Sequence, residues 1–423
     1  MNIVDIINKK EEGNELSYEE IKYAVDGYLA DEVKDYQMSS LLMAIEIKGM
    51  NIEEIYNLTK VMIDSGDIID LSSINGIKVD KHSTGGVGDK TTLVVGPLAA
   101  VCGIKIAKMS GRALGFTGGT IDKLESIKGF NTNLSKEEFI NQVNDIGLSI
   151  TTTAGNLVPA DKKIYALRDV SGTTEAIPLI ASSIMSKKIA SGSDKIIIDV
   201  KVGKGAFMKT LDDARLLSKT MIEIGKRFNK EVIAIITNMD YPLGNTIGNS
   251  LEVQEAIDTL NGNGDERFTK LCLILSSYMV SVGKNISIED AFDEVVEKLN
   301  NKEGLNKFYE FIKYQGGDIN SLEFGKNKIE IKSDKEGYLT DIDTLNLAGF
   351  INSLGAGRKD KNDKINPKVG FILTKKINDK IEKNDPLGYV ISDSDIDINN
   401  LNNYFIIDSK NIDEINIVLD IIK

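Results

Sequence analysis

The sequence predicts an α/β protein in three parts: a small all-helical domain, a large α/β domain with a mainly parallel central sheet, and a C-terminal β-rich α+β subdomain. Three observations carry this expectation. Helical periodicity fills residues 1–70. Strand, glycine-rich loop and helix then follow one another twice between Ile77 and Thr120, the grammar of a parallel α/β sheet. After about Gly316 the texture changes to short β-like pieces punctuated by Gly, Asn and Asp. At 423 residues the chain also exceeds the roughly 250–300 residues at which a single core stops growing.

Along the chain, Ser17 and Glu20 form a capping box. Ile21, Ala24, Val25, Tyr28 and Leu29 follow at i, i+3, i+4, i+7 and i+8, one apolar helix face. A second helix is predicted from Gln37 to Lys48, stopped by Gly49. A third is capped by Asn51, turns Ile55, Leu58 and Met62 inward and ends at Ser65-Gly66. A strand over Ile77–Asp80 leads into the loop Lys81 to Gly88, and an apolar helix runs on to about Cys102. A second strand, Ile104–Ala107, leads into Ser110-Gly111-Arg112 and Thr117-Gly118-Gly119-Thr120. A mostly helical insert, Pro159 to about Ile189, is expected to pack back on the N-terminal helices and leave a cleft between two bodies. Strands over Ile196–Val200 and Val232–Ile236 flank a helix holding Ala214, Leu217, Met221 and Ile224. The β-rich end offers Lys328–Lys332, Gly337–Leu339, Val369–Leu373 and Leu387–Ile391. The expected division is residues 1–70 with 158–192, residues 71–157 with 193–325, and residues 326–423.

Composition narrows the function. Lys and Arg number 51 against 64 Asp and Glu, a net charge of −13. An acidic surface repels nucleic-acid backbones unless a basic patch is concentrated somewhere. No basic run stands out, so no nucleic-acid partner is expected. Cys102 and Cys272 lie apart without CxxC spacing, which argues against a disulfide framework or a cysteine zinc cluster and fits a reducing compartment. The opening Met1-Asn2-Ile3-Val4-Asp5 lacks the pattern of a signal peptide. The uncharged stretch Leu93 to Ile104 is too short to span a bilayer. A cytoplasmic protein with no membrane partner is expected.

Residues 81–88, Lys-His-Ser-Thr-Gly-Gly-Val-Gly, have the strongest chemical logic. Successive glycines let backbone N–H groups turn toward an anion, and the following helix adds its positive end. Lys81 brings a charge; Ser83 and Thr84 bring hydroxyls. Lys108, Ser110, Arg112, Gly118, Gly119 and Thr120 repeat these ingredients one strand later. Neighbouring strand ends lie about 5 Å apart, so both loops can face one phosphate-sized ligand at the sheet's carboxyl edge. The loop is not a Walker A motif, because Asp89 stands where glycine is required, and no GxGxxG follows a strand. ATP hydrolysis and dinucleotide chemistry lose support, and no redox cofactor is expected.

His82 is the only histidine. A lone histidine is commonly structural or merely exposed, but its place inside the anion loop and an ordinary pKa of about 6.5 suit proton transfer near neutrality. In the helical insert stand Arg168 and Lys187, with Ser183 one turn before Lys187 on the same helix face. Such a pair reads the carbonyl and N–H groups of a planar base, or is simply a solvated face.

These segments resemble the thymidine and pyrimidine-nucleoside phosphorylases. The runs are Lys81-His82-Ser83-Thr84-Gly85-Gly86-Val87-Gly88-Asp89, Lys108-Met109-Ser110-Gly111-Arg112 and Gly118-Gly119-Thr120-Ile121-Asp122-Lys123-Leu124-Glu125. To these are added Pro159-Ala160-Asp161-Lys162, Ala166-Leu167-Arg168-Asp169-Val170, the run Ile177 to Lys188, and Leu354-Gly355-Ala356-Gly357-Arg358. The resemblance implies a homodimer whose helical and α/β domains close over pyrimidine nucleoside and inorganic phosphate. It places phosphate contacts on Lys81, Ser83, Thr92, Lys108, Ser110 and Thr120. Base contacts fall on Arg168, Ser183 and Lys187 with Tyr165 nearby, and the catalytic set is His82, Arg168 and Lys187. It also implies a potassium ion held by Gly88, Leu243, Thr246 and Glu255.

Three departures accompany it. Phe116 stands where the family often has histidine, Thr152-Thr153-Ala154 replaces a polar segment, and Lys90 stands where potassium-binding members can carry a threonine ligand. The Lys90 ammonium is expected to replace the ion. The resemblance implies phosphorolysis of uridine, thymidine and deoxyuridine, through an oxocarbenium-like transition state at the sugar C1′. Rival readings are a strict thymidine phosphorylase, a transferase like anthranilate phosphoribosyltransferase, and a non-catalytic nucleoside or phosphate sensor.

Overall fold

Four helices open the chain: α1 (Ile3–Glu11), α2 (Tyr18–Leu29), α3 (Asp35–Lys48) and α4 (Ile52–Asp64). The capping boxes at Ser17/Glu20 and Asn51/Glu54 both form, satisfying two of the orphan N–H groups at each helix start. The first helix was not foreseen individually; Asn2 caps it and Ile3 and Ile6 bury its short apolar face. The structure, a computed structural model, describes residues 1–112, 118–153, 155–358 and 363–423. The expectations for Phe116 and Ala154 lie outside the described residues.

Next come β1 (Val79–Ser83), α5 (Thr91–Val101), β2 (Ile106–Ser110), α6 (Thr120–Leu124), α7 (Lys136–Ile146) and β3 (Leu148–Thr152). Both early strands sit two residues later than the apolar runs suggested. The parallel ladders continue through the polar residues, pairing Ser83 with Asp199 and Ser110 with Thr152. The helical insert is α8 (Pro159–Ser171) and α9 (Ile177–Ala190). Leu179, Ala160 and Ile164 share a core with Leu41, Leu58 and Met62 of the N-terminal helices, so the insert does fold back on them.

The central strands are β4 (Lys195–Val202) and β5 (Glu231–Asn238), with α10 (Leu211–Arg227) between them. Both strands are buried along nearly their whole length, as expected of a parallel sheet covered on two faces. The sheet order is β1-β4-β5 with parallel pairing throughout. On its other flank β1 meets β2 through a single parallel bridge, Lys78 to Lys105, after which the two strands diverge. One face is covered by α9 and α10, where Ala214, Leu217, Met221 and Ile224 are fully buried as expected. At roughly 1.5–3 kcal/mol for each large apolar side chain, that stripe anchors the helix.

The chain then forms β6 (Thr246–Ile247), α11 (Asn249–Leu260), α12 (Glu266–Lys284), α13 (Ile288–Asn300) and α14 (Glu303–Tyr314). These helices pack with α5 on the sheet's second face. The C-terminal body contains β7 (Asn327–Lys332), β8 (Gly337–Ile342), α15 (Thr344–Ile351), β9 (Gly370–Leu373), β10 (Lys380–Ile381), β11 (Pro386–Ser392) and β12 (Phe405–Asp408). They make two antiparallel sheets, ordered β10-β8-β12 and β6-β9-β11-β7. The last strand, β13 (Val418–Ile422), returns to the central sheet and pairs antiparallel with β5. The sheet is therefore mainly, not wholly, parallel.

Candidate active site

The site is built on one strand. Side chains alternate sides along β1, so Asp80 and His82 face one way while Lys81 and Ser83 face the other. These polar residues are thus the strand's own C-terminal positions, with the glycine loop beginning after them.

On the Lys81 side, the ammonium donates to the Thr91 hydroxyl and lies 3.5 Å from Asp199 Oδ2. Asp199 is fully buried and also pairs with Lys201 at 2.7 Å. The Ser83 hydroxyl donates to Asp89 and accepts from Gly85 N–H at 3.1 Å. Asp89 also accepts from Thr91 N–H at 3.1 Å and the Thr91 hydroxyl at 2.6 Å. Burial would raise its pKa, but Lys81, Lys201 and these hydroxyls hold it far below the carboxylate range. Gly88 has φ +77°, and a Cβ there would sit 2.9 Å from Leu243 O. Only glycine brings the backbone that close at such a φ. Thr92 follows in the first turn of α5, half-buried.

On the His82 side, Asp80 is buried between two lysines, 3.4 Å from Lys108 Nζ and 2.7 Å from Lys188 Nζ. Burial alone would raise its pKa; the two ammonium groups lower it below the usual value. Lys108 also donates to Lys81 O at 2.6 Å, which fills the divergence between β1 and β2 and ties their ends together. Burial, reinforced by Lys188 and Lys81, pushes the Lys108 pKa down to about 7. His82 is held well below 6.5 by burial and by Lys188, Lys108, Lys187 and Lys81. The sequence suggested an imidazole titrating near neutrality; these surroundings keep it neutral there.

Helix α8 turns Asp161, Tyr165 and Arg168 to one face, spaced i, i+4, i+7. Lys187 of α9 donates to Asp161 and, at 2.8 Å, to Ser183 Oγ, with the Tyr165 ring 5.6 Å from its nitrogen. These residues therefore form one cluster, in which Asp161 and Ser183 are buried while Tyr165 and part of the Lys187 side chain remain exposed. Arg168 is buried and donates to Thr173 O at 2.9 Å and Thr174 O at 3.1 Å; burial lowers its pKa. In this state its fork braces the loop after α8.

The second loop is held from the far end of the chain. Ser110 ends β2 and Thr120 opens α6. Lys123 donates to Gly118 O and pairs with Glu252 at 3.2 Å. Arg358 pairs with Asp122 at 2.7 Å, and Asn249 donates to Ala356 O at 3.0 Å.

Of the residues expected to hold potassium, Leu243, Thr246 and Glu255 converge on Lys90, and Gly88 packs against the Leu243 and Thr246 carbonyls. The Lys90 ammonium donates to Leu243 O at 2.7 Å, to Thr246 O at 3.2 Å and to Glu255 Oε2. An ion does not fit among these oxygens while the ammonium occupies them.

Sequence reasoning gave no role to Asp80, Asp161, Asp199, Lys188 or Lys201. One signal was available: Asp199 and Lys201 interrupt an otherwise apolar central strand at i and i+2, and unpaired charges are almost never buried there.

The comparisons with known proteins agree with this architecture. The glycosyl transferase family a/b domain matches residues 75–304, and the helical bundle domain of that family matches residues 4–66. The pyrimidine nucleoside phosphorylase C-terminal domain matches residues 338–405. The pyrimidine-nucleoside phosphorylase of Staphylococcus epidermidis is 52% identical over 390 residues, 90% of each chain. That of Geobacillus stearothermophilus is 50% identical over 401 residues, 93% of this chain and 92% of its own. Anthranilate phosphoribosyltransferase from Thermus thermophilus has a similar fold, with a TM-score of 0.60 at 16% identity, covering 74% of this chain and 99% of its own. With half its residues shared over nine-tenths of its length, the chain belongs to the pyrimidine-nucleoside phosphorylase family.

Proposed function

We propose that this chain catalyses reversible phosphorolysis of uridine, thymidine and deoxyuridine, giving the free pyrimidine and (deoxy)ribose 1-phosphate. Inorganic phosphate is the co-substrate, and the chemistry needs no redox cofactor. The observation that carries the reading is the alternation along β1: Lys81 and Ser83 on the glycine-loop side, His82 on the side of Lys188 and Lys187.

In this reading Lys81, Ser83, Thr92, Lys108, Ser110 and Thr120 hold phosphate at the strand ends. Its oxygen forms the bond to C1′ as the bond from C1′ to the base nitrogen breaks, and the electron pair leaves with the base. Arg168, Ser183 and Lys187 stabilise the charge developing on the pyrimidine, with Tyr165 beside them. A monoprotonated phosphate and a neutral nucleoside balance a neutral base and a sugar phosphate dianion, so phosphate's proton ends on the base. Neutral His82 is able to accept and donate that proton, or to hydrogen-bond the base at O2. Closure of the helical body on the α/β body excludes water and favours phosphate as nucleophile.

The phosphoribosyltransferase alternative needs carboxylates available to a magnesium–pyrophosphate substrate. Here Asp80, Asp89 and Asp199 are each engaged by lysines or hydroxyls, which favours phosphorolysis. The test is release of uracil or thymine from uridine, thymidine and deoxyuridine. Base freed only with phosphate present supports the reading; release without phosphate, or none at all, refutes it. Turnover of thymidine and deoxyuridine but not uridine identifies a strict thymidine enzyme.

The same reading includes a homodimer in the cytoplasm. Along α3, Tyr36, Met43 and Ile47 are 71%, 36% and 70% exposed and recur on one face, an apolar stripe of the kind a partner helix covers. Both cysteines are free and buried, as suits a reducing compartment. Among the described residues no helix is long and apolar enough to cross a membrane. Light scattering that gave a monomer for the wild type would overturn the dimer.

A further inference from the structure

Lys90 caps the start of α5 and its side chain is fully buried. Every polar partner of its ammonium is an oxygen: Leu243 O at 2.7 Å, Thr246 O at 3.2 Å, Thr246 Oγ1 at 3.4 Å and Glu255 Oε2. The Phe268 ring closes another side, its centroid 5.2 Å away. Two carbonyls, a hydroxyl and a carboxylate are the donors of a hard-cation site. Glu255 supplies one negative charge and Lys90 balances it.

The cage is also preorganised. Glu255 accepts from Asn245 N–H at 2.6 Å, Thr246 N–H at 2.9 Å and Thr246 Oγ1 at 2.5 Å, so the 243–246 turn is wrapped around the carboxylate. Leu243 N–H donates to Val87 O at 3.1 Å, and Gly88 packs against the Leu243 and Thr246 carbonyls. The glycine loop is therefore fastened to the wall of the cage. That wall continues into the C-terminal body, where Thr246 and Ile247 pair with β9.

We propose that Lys90 is a tethered cation. Its ammonium holds the glycine loop against the 243–246 turn permanently, and the protein needs no free monovalent cation to assemble its anion loop. An ammonium and a potassium ion have the same charge and similar size, so removing the tether while keeping the cage opens a monovalent-cation site. Lys90 is a positioning residue in this scheme and touches no substrate. Only the kinetic part of the test rests on the proposed phosphorolysis; the melting part does not.

The wild type, Lys90→Thr and Lys90→Met are compared in about 0.1 M KCl and in choline chloride at the same ionic strength. Melting temperature and steady-state kinetics are read in both. The wild type melts at the same temperature and shows the same phosphate KM in both salts. Lys90→Thr melts lower in choline chloride and recovers saturably with KCl. Its phosphate KM falls roughly 5- to 100-fold on adding KCl, with less change in kcat, and phosphate in turn lowers the KCl midpoint of the melting shift, because coupling is reciprocal. Lys90→Met, which has neither charge nor space for an ion, shows no response to KCl. A wild type that loses stability or activity in choline and regains it in KCl overturns the proposal, as does a Lys90→Thr protein no more responsive than Lys90→Met. If neither variant folds, the wild-type comparison decides.

Discussion

Replacing Asp80 by asparagine tests how the buried charges of the site are held. Asp80 is 1% exposed and lies 3.4 Å from Lys108 Nζ and 2.7 Å from Lys188 Nζ. At an effective dielectric of about 20 these separations correspond to about 5 and about 6 kcal/mol of attraction. The net loss is smaller. Lys108 already titrates near 7, so in the variant it sheds its proton at little further expense. Lys188 is then the uncompensated buried cation, and breaking a buried pair of this kind costs about 3–5 kcal/mol. The expected deficit is of that size and grows as pH falls from 9 to 6. Over that range the wild-type carboxylate stays ionised, while in the variant Lys108 is driven to protonate beside Lys188 with no carboxylate between them. Urea unfolding reads it, followed by circular dichroism and by tyrosine fluorescence, which 13 Tyr and no Trp leave clean. A deficit under about 1 kcal/mol, or one independent of pH, would show that Asp80 does not hold these lysines.

Burial and four lysines keep His82 neutral in the folded chain, whereas the unfolded chain protonates it near 6.5. As pH falls below that value only the unfolded state gains the proton, so stability drops. His82→Gln should flatten the melting curve between pH 5 and 6.5 and lower kcat by about 10²–10⁴; equal acid slopes in both proteins would contradict this. With Lys108 at about 7, kcat/KM for phosphate should decline as pH rises through that value. Lys108→Arg, charged at every accessible pH, should remove the decline even if its rate is lower, and an unaltered alkaline limb counts against the assignment. Lys187→Met should cost about 10²–10³ in kcat and raise the nucleoside KM, with the phosphate KM little changed; a phosphate-specific defect would place Lys187 on the wrong substrate.

Local periodicity made α2, α4 and α10 readable, because an apolar stripe is written within a few turns. The ends of β1 and β2 were not. Lys81, Ser83 and Lys108 look like loop residues, yet the parallel ladder continues through them, and the two lysine charges are tolerated because Asp199 and Asp80 lie opposite. β13 pairs with β5 some 180 residues earlier, a contact that leaves no local trace. At the site, lysines, hydroxyls and the histidine were visible as residue types, and the resemblance supplied their roles. Their carboxylate partners were not visible, since Asp161 meets Lys187 and Asp80 meets Lys188 only after the chain has folded.

The period of a β-strand explains how three consecutive residues serve two reactants in the proposed reaction. Consecutive side chains on β1 point to opposite faces, so Lys81 and Ser83 address phosphate while His82, between them, addresses the base. A helix would fan the same three residues around its circumference. The arrangement gathers Lys81, Lys108, Lys187, Lys188 and Lys201 against Asp80, Asp89, Asp161 and Asp199. The surplus positive charge is what an incoming phosphate meets. Before it arrives, the site relieves that surplus by keeping His82 neutral and Lys108 near half-protonation. Phosphate binding must then favour proton uptake by both groups, because an adjacent anion raises the pKa of each. The proton that leaves with the base is in this way drawn toward His82 by the nucleophile itself, one strand position from where phosphate is held.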